Sequence, residues 1–278
     1  WPTHAAHMSG TLFRYLDGGY HTDAMAIHGH ALRAARSVGD VAGEATAVKN
    51  VGVALAQTGR LRQAREHFET AVRLYRQLGD RAGEARMLGS LGVVEQRLGM
   101  LHSSVANHRR ALAMSRAYGH PTEVVRALSN LGQIEIQLGR HSQAAEHLQQ
   151  ALALAREGGD ARGEAWASLN LGDAEVGLGR YDDADHHIRQ ASAIFRQQGN
   201  RVGEAWTLDS LGTLDLHLDR PAEATNHHRR ALTLFRDTGD RDGETWALNA
   251  LGAAAHRAGH FPDAIGHHEA ALAITTDT

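Results

Sequence analysis

The sequence contains no cysteine, which excludes a disulfide framework and any thiolate metal site. Lysine is nearly absent: Lys49 is the only one, and the remaining basic residues are arginines spread along the chain. The net charge is −3, so there is no bulk basic field to hold nucleic acid, and direct nucleic-acid contact is not expected. No apolar run approaches the roughly 20 residues that a membrane helix needs, and no signal-peptide core stands at the front. The motifs G-x-x-x-x-G-K-[ST], H-E-x-x-H and G-x-S-x-G are missing, as is zinc-finger spacing. These absences argue against an enzyme, against a nucleotide or other cofactor, and against a metal site. The chain opens at Trp1, not Met, with its pattern already running, which we read as a segment of a longer protein.

What the sequence does contain is a period. Residues 79–92 read "GDRAGEARMLGSLG", and the phrase returns every forty residues: "GDVAGEATAVKNVG" at 39–52, "GDARGEAWASLNLG" at 159–172, "GNRVGEAWTLDSLG" at 199–212 and "GDRDGETWALNALG" at 239–252, with a looser "GHPTEVVRALSNLG" at 119–132. Cut at that interval, the chain forms a single array of seven units: 1–40, 41–80, 81–120, 121–160, 161–200, 201–240 and 241–278. Each unit carries two stripes of 3/4 spacing, such as Val125, Leu128, Leu131, Glu135 and Leu138, then Ala144, Leu148, Ala151, Leu152 and Ala155. That is two amphipathic helices per unit. Gly79 and Gly139 stand where a helix ends on a left-handed residue, Asp80 where the next helix needs an N-cap, and Glu84 in its first turn. Pro121 takes a first helical position, where its missing N–H costs nothing.

A second glycine recurs mid-helix: Gly52, Gly92, Gly132, Gly172, Gly212 and Gly252. Glycine there costs about 1 kcal/mol against alanine, so its repetition predicts a close helix approach. The expected opposing surface is alanine: Ala64, Ala144, Ala184, Ala224 and Ala264, then Ala71, Ala111, Ala151, Ala191, Ala231 and Ala271. Such pairs bury their apolar faces only on the next pair, which predicts an all-α solenoid.

A Leu-Gly pair in the first helix, followed by alanines about twelve and nineteen residues after that glycine, resembles the tetratricopeptide (TPR) repeat. Two departures are the forty-residue period, as in kinesin light chain-type repeats, and Val48, Leu88, Leu128, Leu208 and Leu248 where the repeat usually has Trp. The "GDRAGEA…LGxLG" junctions and the Arg- and His-rich second helices also resemble the C-terminal repeats of actinobacterial antibiotic-regulatory proteins of the SARP type. That resemblance implies a superhelical solenoid following a winged-helix DNA-binding domain and an NB-ARC ATPase, in a cytoplasmic transcriptional regulator.

Twenty histidines are read mainly as polar, partly buried helix residues, since neighbours such as His227 and His228 point to different sides of a helix. Glu95, Glu135, Glu175 and Asp215 stand where the repeat usually has an aromatic. We expect either interhelical pairs Glu95–His108 and Asp215–His228, or separate partners in water and arginine.

The resemblance implies that the first helices line a concave groove. Groove candidates are Arg86, Arg126, Trp166, Trp206 and Trp246 at one register; Lys49, Asp209 and Asn249 at the next; Asn50, Ser90, Asn130, Asn170 and Ser210; then Gln133 and Asp173. The amides resemble the asparagines with which kinesin light chain-type repeats hold a peptide backbone. Trp and Arg are common interface anchors, although the tryptophans equally suit packing between neighbouring helices. Arg97, Gln137, His217 and Arg257 vary from repeat to repeat, as specificity positions would.

The expected function is a protein-interaction and signal-sensing domain of a transcriptional regulator. Its groove would hold a protein or peptide partner, either the upstream domains of the same chain or an outside molecule. The alternatives are a stand-alone peptide-binding scaffold and a small-molecule sensor. The array runs to "ALAITTDT" without a polar capping helix, which leaves self-association through that end open.

Overall fold

A computed structural model describes residues 21–276 of the chain. The first half of the opening repeat, predicted over 1–20, lies outside the described residues. Thirteen helices follow, and among the described residues there is no strand. They are α1 (His21–Val38), α2 (Val41–Gln57), α3 (Leu61–Gln77), α4 (Arg81–Arg97), α5 (Leu101–Ala117), α6 (Pro121–Gln137), α7 (His141–Glu157), α8 (Ala161–Gly177), α9 (Tyr181–Gln197), α10 (Arg201–His217), α11 (Pro221–Thr238), α12 (Arg241–Arg257) and α13 (Phe261–Thr276). Even-numbered helices open a repeat and odd-numbered helices close it, as the forty-residue period predicts. This is an all-α repeat solenoid.

The recurring phrase is a junction device. Gly79 adopts φ +71°, a conformation that glycine reaches without steric cost. Asp80 then caps α4, its Oδ1 accepting from the Gly83 N–H at 2.8 Å. Asp40, Asp160, Asn200 and Asp240 cap α2, α8, α10 and α12 in the same way. Glu84 adds a link that the phrase alone does not reveal. The Arg76 guanidinium, from the end of α3, donates to it at 2.8 Å, and Arg81 donates at 2.9 Å. Arg36–Glu44, Arg156–Glu164 and Arg236–Glu244 repeat the clamp at 2.7–2.9 Å across their own junctions. An arginine eight residues ahead of the glutamate is the sequence signal for it.

Two compact units divide the chain, Trp1–Ile134 and Glu135–Thr278. The first is built around Leu32, Val48, Leu55, Phe68, Leu88 and Leu91. The second has one cluster with Leu169, Ile188 and Phe195, and another with Leu232, Phe235, Leu248 and Leu251.

The mid-helix glycines mark close approach, but the opposing surface differs from the expected one. A Cβ added to Gly92 would meet His108 Nε2 at 2.5 Å, one on Gly212 would meet His228 Cε1 at 2.6 Å, and one on Gly252 would meet His268 at 2.6 Å. At Gly52 the neighbour is Phe68, and at Gly172 it is Ile188. The glycine is therefore a notch for a large side chain sixteen residues on, and the alanines pack within the surrounding core. At Gly172 an alanine backbone oxygen, that of Ala184, is also close, at 3.1 Å.

Candidate functional site: the face of the first helices

The acids at the second-helix interface find partners one residue earlier than expected. Glu135 bonds His147 at 2.8 Å, Glu175 bonds His187 at 2.7 Å and Asp215 bonds His227 at 2.7 Å, each twelve residues on. Glu95 takes the Asn107 amide at 2.8 Å. The expected Glu95–His108 and Asp215–His228 pairs are not formed. One residue is about 100° of helix rotation, enough to turn His108 and His228 away from the acids and onto the glycine notches.

At that notch the structure shows a second set of contacts. His228, fully buried, donates from Nδ1 to Asp209 Oδ1 at 2.7 Å. His268 Nδ1 lies 3.0 Å from Asn249 Oδ1. In both cases the partner stands nineteen residues earlier, on the first helix of the same repeat. Asp209 and Asn249, two of the groove candidates, thus also serve the interhelical contact.

The aromatic candidates divide. Trp166 lies edge-on to Phe195, and Trp206 edge-on to Phe235, both with ring centroids 5.0 Å apart. Both tryptophans are half-buried. Trp246, at 54 % exposure, presents most of its ring; the position forty residues after Phe235 is Thr275.

Polar candidates span a range of exposure. Asn50 is buried; Lys49, Arg86, Ser90, Asn130, Asn170 and Asp173 are half-buried; Arg126, Gln133 and Asn249 are exposed. Ser90 donates to the Arg86 carbonyl oxygen at 3.2 Å. Arg126 is ion-paired with Glu123. Burial, with the nearby Arg86 charge, lowers the Lys49 pKa. Burial pushes the Asp173 carboxyl up to about 7, against a Ser210 hydrogen bond that lowers it and with the Asp209 charge that raises it further.

Two residues expected to vary for specificity instead tie repeats together. Arg97 Nη1 donates to the Ala56 carbonyl oxygen at 2.9 Å, and Arg257 donates to that of Leu216. Each adds a second donor to a carbonyl near the C-terminal end of the preceding first helix, which also accepts a backbone N–H from the turn.

In the second unit, Thr213, Leu216, His217, Ala253, His256, Arg257, Phe261, Ala264, Ile265 and His268 line a cleft of about 570 Å³. Among the described residues no group of three or more His, Asp or Glu side chains is placed to hold a metal ion. Nor is any described helix long and apolar enough to cross a membrane.

Repeated antiparallel helix pairs with a glycine notch and small core residues define a helical-repeat protein, and comparison with known proteins gives the family. Tetratricopeptide repeat models match residues 83–157, 123–197, 163–237 and 203–277, and another matches 45–78. The chain belongs to the tetratricopeptide repeat family. No curated protein matches its sequence. Among solved structures, the apo form of RapI is 13 % identical, with a TM-score of 0.83 over 99 % of this chain and 97 % of that one. The Rap conjugation gene regulator of plasmid pLS20, in complex with the Phr* peptide, is 13 % identical, with a TM-score of 0.78 over 98 % of this chain and 73 % of that one. A signal transduction ATPase with a tetratricopeptide repeat sensor, PH0952 from Pyrococcus horikoshii, is 14 % identical, with a TM-score of 0.61 over 90 % and 38 % respectively. At these identities the likeness is one of fold.

Proposed function

We propose that this chain is a non-catalytic interaction module whose first-helix face binds an extended peptide or protein segment, and that it works as the sensor of a cytoplasmic transcriptional regulator. The observation that carries the reading is the face itself. Core positions recur at every fortieth residue, whereas the face changes from Lys49, Arg86 and Arg126 to Trp166, Asp173, Trp206 and Asp209. Amides and hydroxyls run through it at one register; of these Asn50 and Ser210 are buried, while Ser90, Asn130 and Asn170 are half-buried and suit a peptide backbone, whose N–H and C=O groups need partners when desolvated. The family resemblance and the peptide complex of the pLS20 regulator are consistent with this use.

In this reading the partner is either an upstream part of the same protein or an outside segment. It shifts the regulator between states by its differential affinity for them. Selection of peptides from a displayed random library tests the binding half. Recovered peptides should lose at least tenfold in affinity, by calorimetry, on Asn130→Ala or Asn170→Ala; unchanged affinity would contradict a face-bound backbone. Titration with the polypeptide encoded upstream in the same frame, under ATP and then ADP, tests the regulator half. Nucleotide-dependent saturable binding is the expected result, and equal or absent binding under both nucleotides would contradict it. The cleft bordered by Phe261 and Ile265 favours a second reading, a small-molecule sensor, because its size falls in the range of ligand pockets.

A further inference from the structure

His108 is a buried histidine with neither ring nitrogen satisfied. It is 0 % exposed, and both Nδ1 and Nε2 lack a hydrogen-bond partner. A buried polar group left unpaired is destabilising, and native proteins rarely leave one without a functional reason. The sister repeats supply the comparison. His228 and His268 sit on the same glycine notch, and each engages a side chain nineteen residues earlier, Asp209 or Asn249. Nineteen residues before His108 stands Gly89, which has no side chain to offer.

Gly89 is itself buried, yet it leaves room for a side chain. A Cβ built there meets a single neighbour within 4 Å, the Arg126 Nη2 at 3.8 Å. The missing side chain thus leaves a notch on the first-helix face with a guanidinium beside it. Arg126 is near enough for its charge, after burial itself, to help depress the His108 pKa to about 4. At pH 7 the imidazole is then neutral and carries one N–H donor. Lys49 and Arg86 stand on the same face, close enough that the charge of one lowers the pKa of the other. Arg126 already shares its guanidinium with Glu123, but a guanidinium has five N–H donors and can serve two carboxylates.

We propose that the Gly89 notch is a receptor for a carboxylate side chain of the bound segment, which accepts the His108 N–H and pairs with Arg126. The carboxylate does from outside what Asp209 does for His228 from within. The proposal rests on the reading of this face as a peptide-binding surface and assigns that peptide an acidic residue. A water molecule would satisfy the imidazole alone; an anion also offsets the cations around it, and charge-assisted bonds of this kind are the stronger ones.

The test follows the imidazole resonances of His108, assigned by their loss in His108→Phe, during titration with N-acetyl-aspartate N-methylamide and with its asparagine counterpart. The expected result is a saturable shift of His108 with the aspartate compound, at least tenfold weaker binding of the asparagine compound, and no response of His228. Gly89→Asp should abolish the response by building the internal partner, and Arg126→Gln should weaken it at least tenfold should Gly89→Asp fail to fold. An unmoved His108, an equal response to both compounds, or a full response in Arg126→Gln would overturn the proposal. Selected peptides that bind this face while His108 ignores the aspartate compound would sink the notch alone. A His108 response without any peptide binding would leave the notch and remove the peptide reading.

Discussion

Repeats 81–120 and 201–240 share one architecture, and of four corresponding positions that decide their packing three differ. In the later repeat these hold Trp206, Asp209, His228 and Phe235; in the earlier, Arg86, Gly89, His108 and Ser115. Trp206 packs on Phe235, and Asp209 bonds His228, so the later repeat completes itself. The earlier one has neither aromatic, and its histidine is left unpaired beneath a cationic face. A solenoid repeat is stabilised largely by its neighbours, so one repeat can leave polar capacity unused without unfolding. The contrast shows how a single scaffold separates positions that build from positions that bind.

Four tests sharpen or break this comparison. The largest effect is expected from Phe235→Ala, which empties a fully buried site and should cost about 3–5 kcal/mol, against less than about 1 kcal/mol for Ser115→Ala at the matching position. Urea unfolding measures both, and equal costs would remove the idea of a self-completed repeat. Next come two identical changes with opposite signs. His228→Phe strands Asp209 and should destabilise by about 1–3 kcal/mol. His108→Phe removes an unsatisfied ring and puts in place the residue that Phe68 already is in repeat 41–80, so it should be neutral or stabilising by about 1 kcal/mol. Destabilisation by both would show that His108 has a partner after all.

Smaller still is the junction device, which should behave alike in both repeats. Asp80→Ala removes the cap on α4 and should cost about 1 kcal/mol, as should Asn200→Ala on α10, both read from thermal unfolding. The smallest effect is a dependence on pH peculiar to the second unit, where Asp173 stands at the register of Val93. Its folded-state pKa, about 7, is raised above the ordinary 3.8. The folded form therefore binds the extra proton, and stability falls as pH rises through about 7. Asp173→Asn should flatten that decline between about pH 4 and about pH 7 by no more than ~1 kcal/mol, because solvent screens the half-exposed carboxylate. An unaltered slope would move the titration to another group.

Much of the fold was legible because its signals are local. The period, the left-handed Gly79 and Gly139, the Asp80 cap and Pro121 at a helix start all follow from residues within one turn of each other. What the sequence did not show depends on rotation and on long range. Pairing Glu95 with His108 or with Asn107 is a matter of one residue of helix phase. The close-packed glycines pointed to an approach, but not to the rings that fill it, because a notch and a small-residue seam have the same pattern. Arg97 and Arg257 look variable in sequence, yet each reaches a carbonyl forty-one residues away. Of the candidate face, the register was readable, whereas the burial of Trp166 and Trp206 depends on Phe195 and Phe235 at the far end of the partner helix. The empty place beside His108 becomes visible only when three repeats are compared in space.

The most direct test of the account is calorimetry of a library-selected peptide against the wild-type chain and Gly89→Asp. Selected peptides are expected to carry an acidic residue at a constant position, whose replacement by its amide weakens binding about as much as Gly89→Asp does, at least tenfold in each case. Tight binding of peptides without any acidic residue, unaffected by Gly89→Asp, would contradict it.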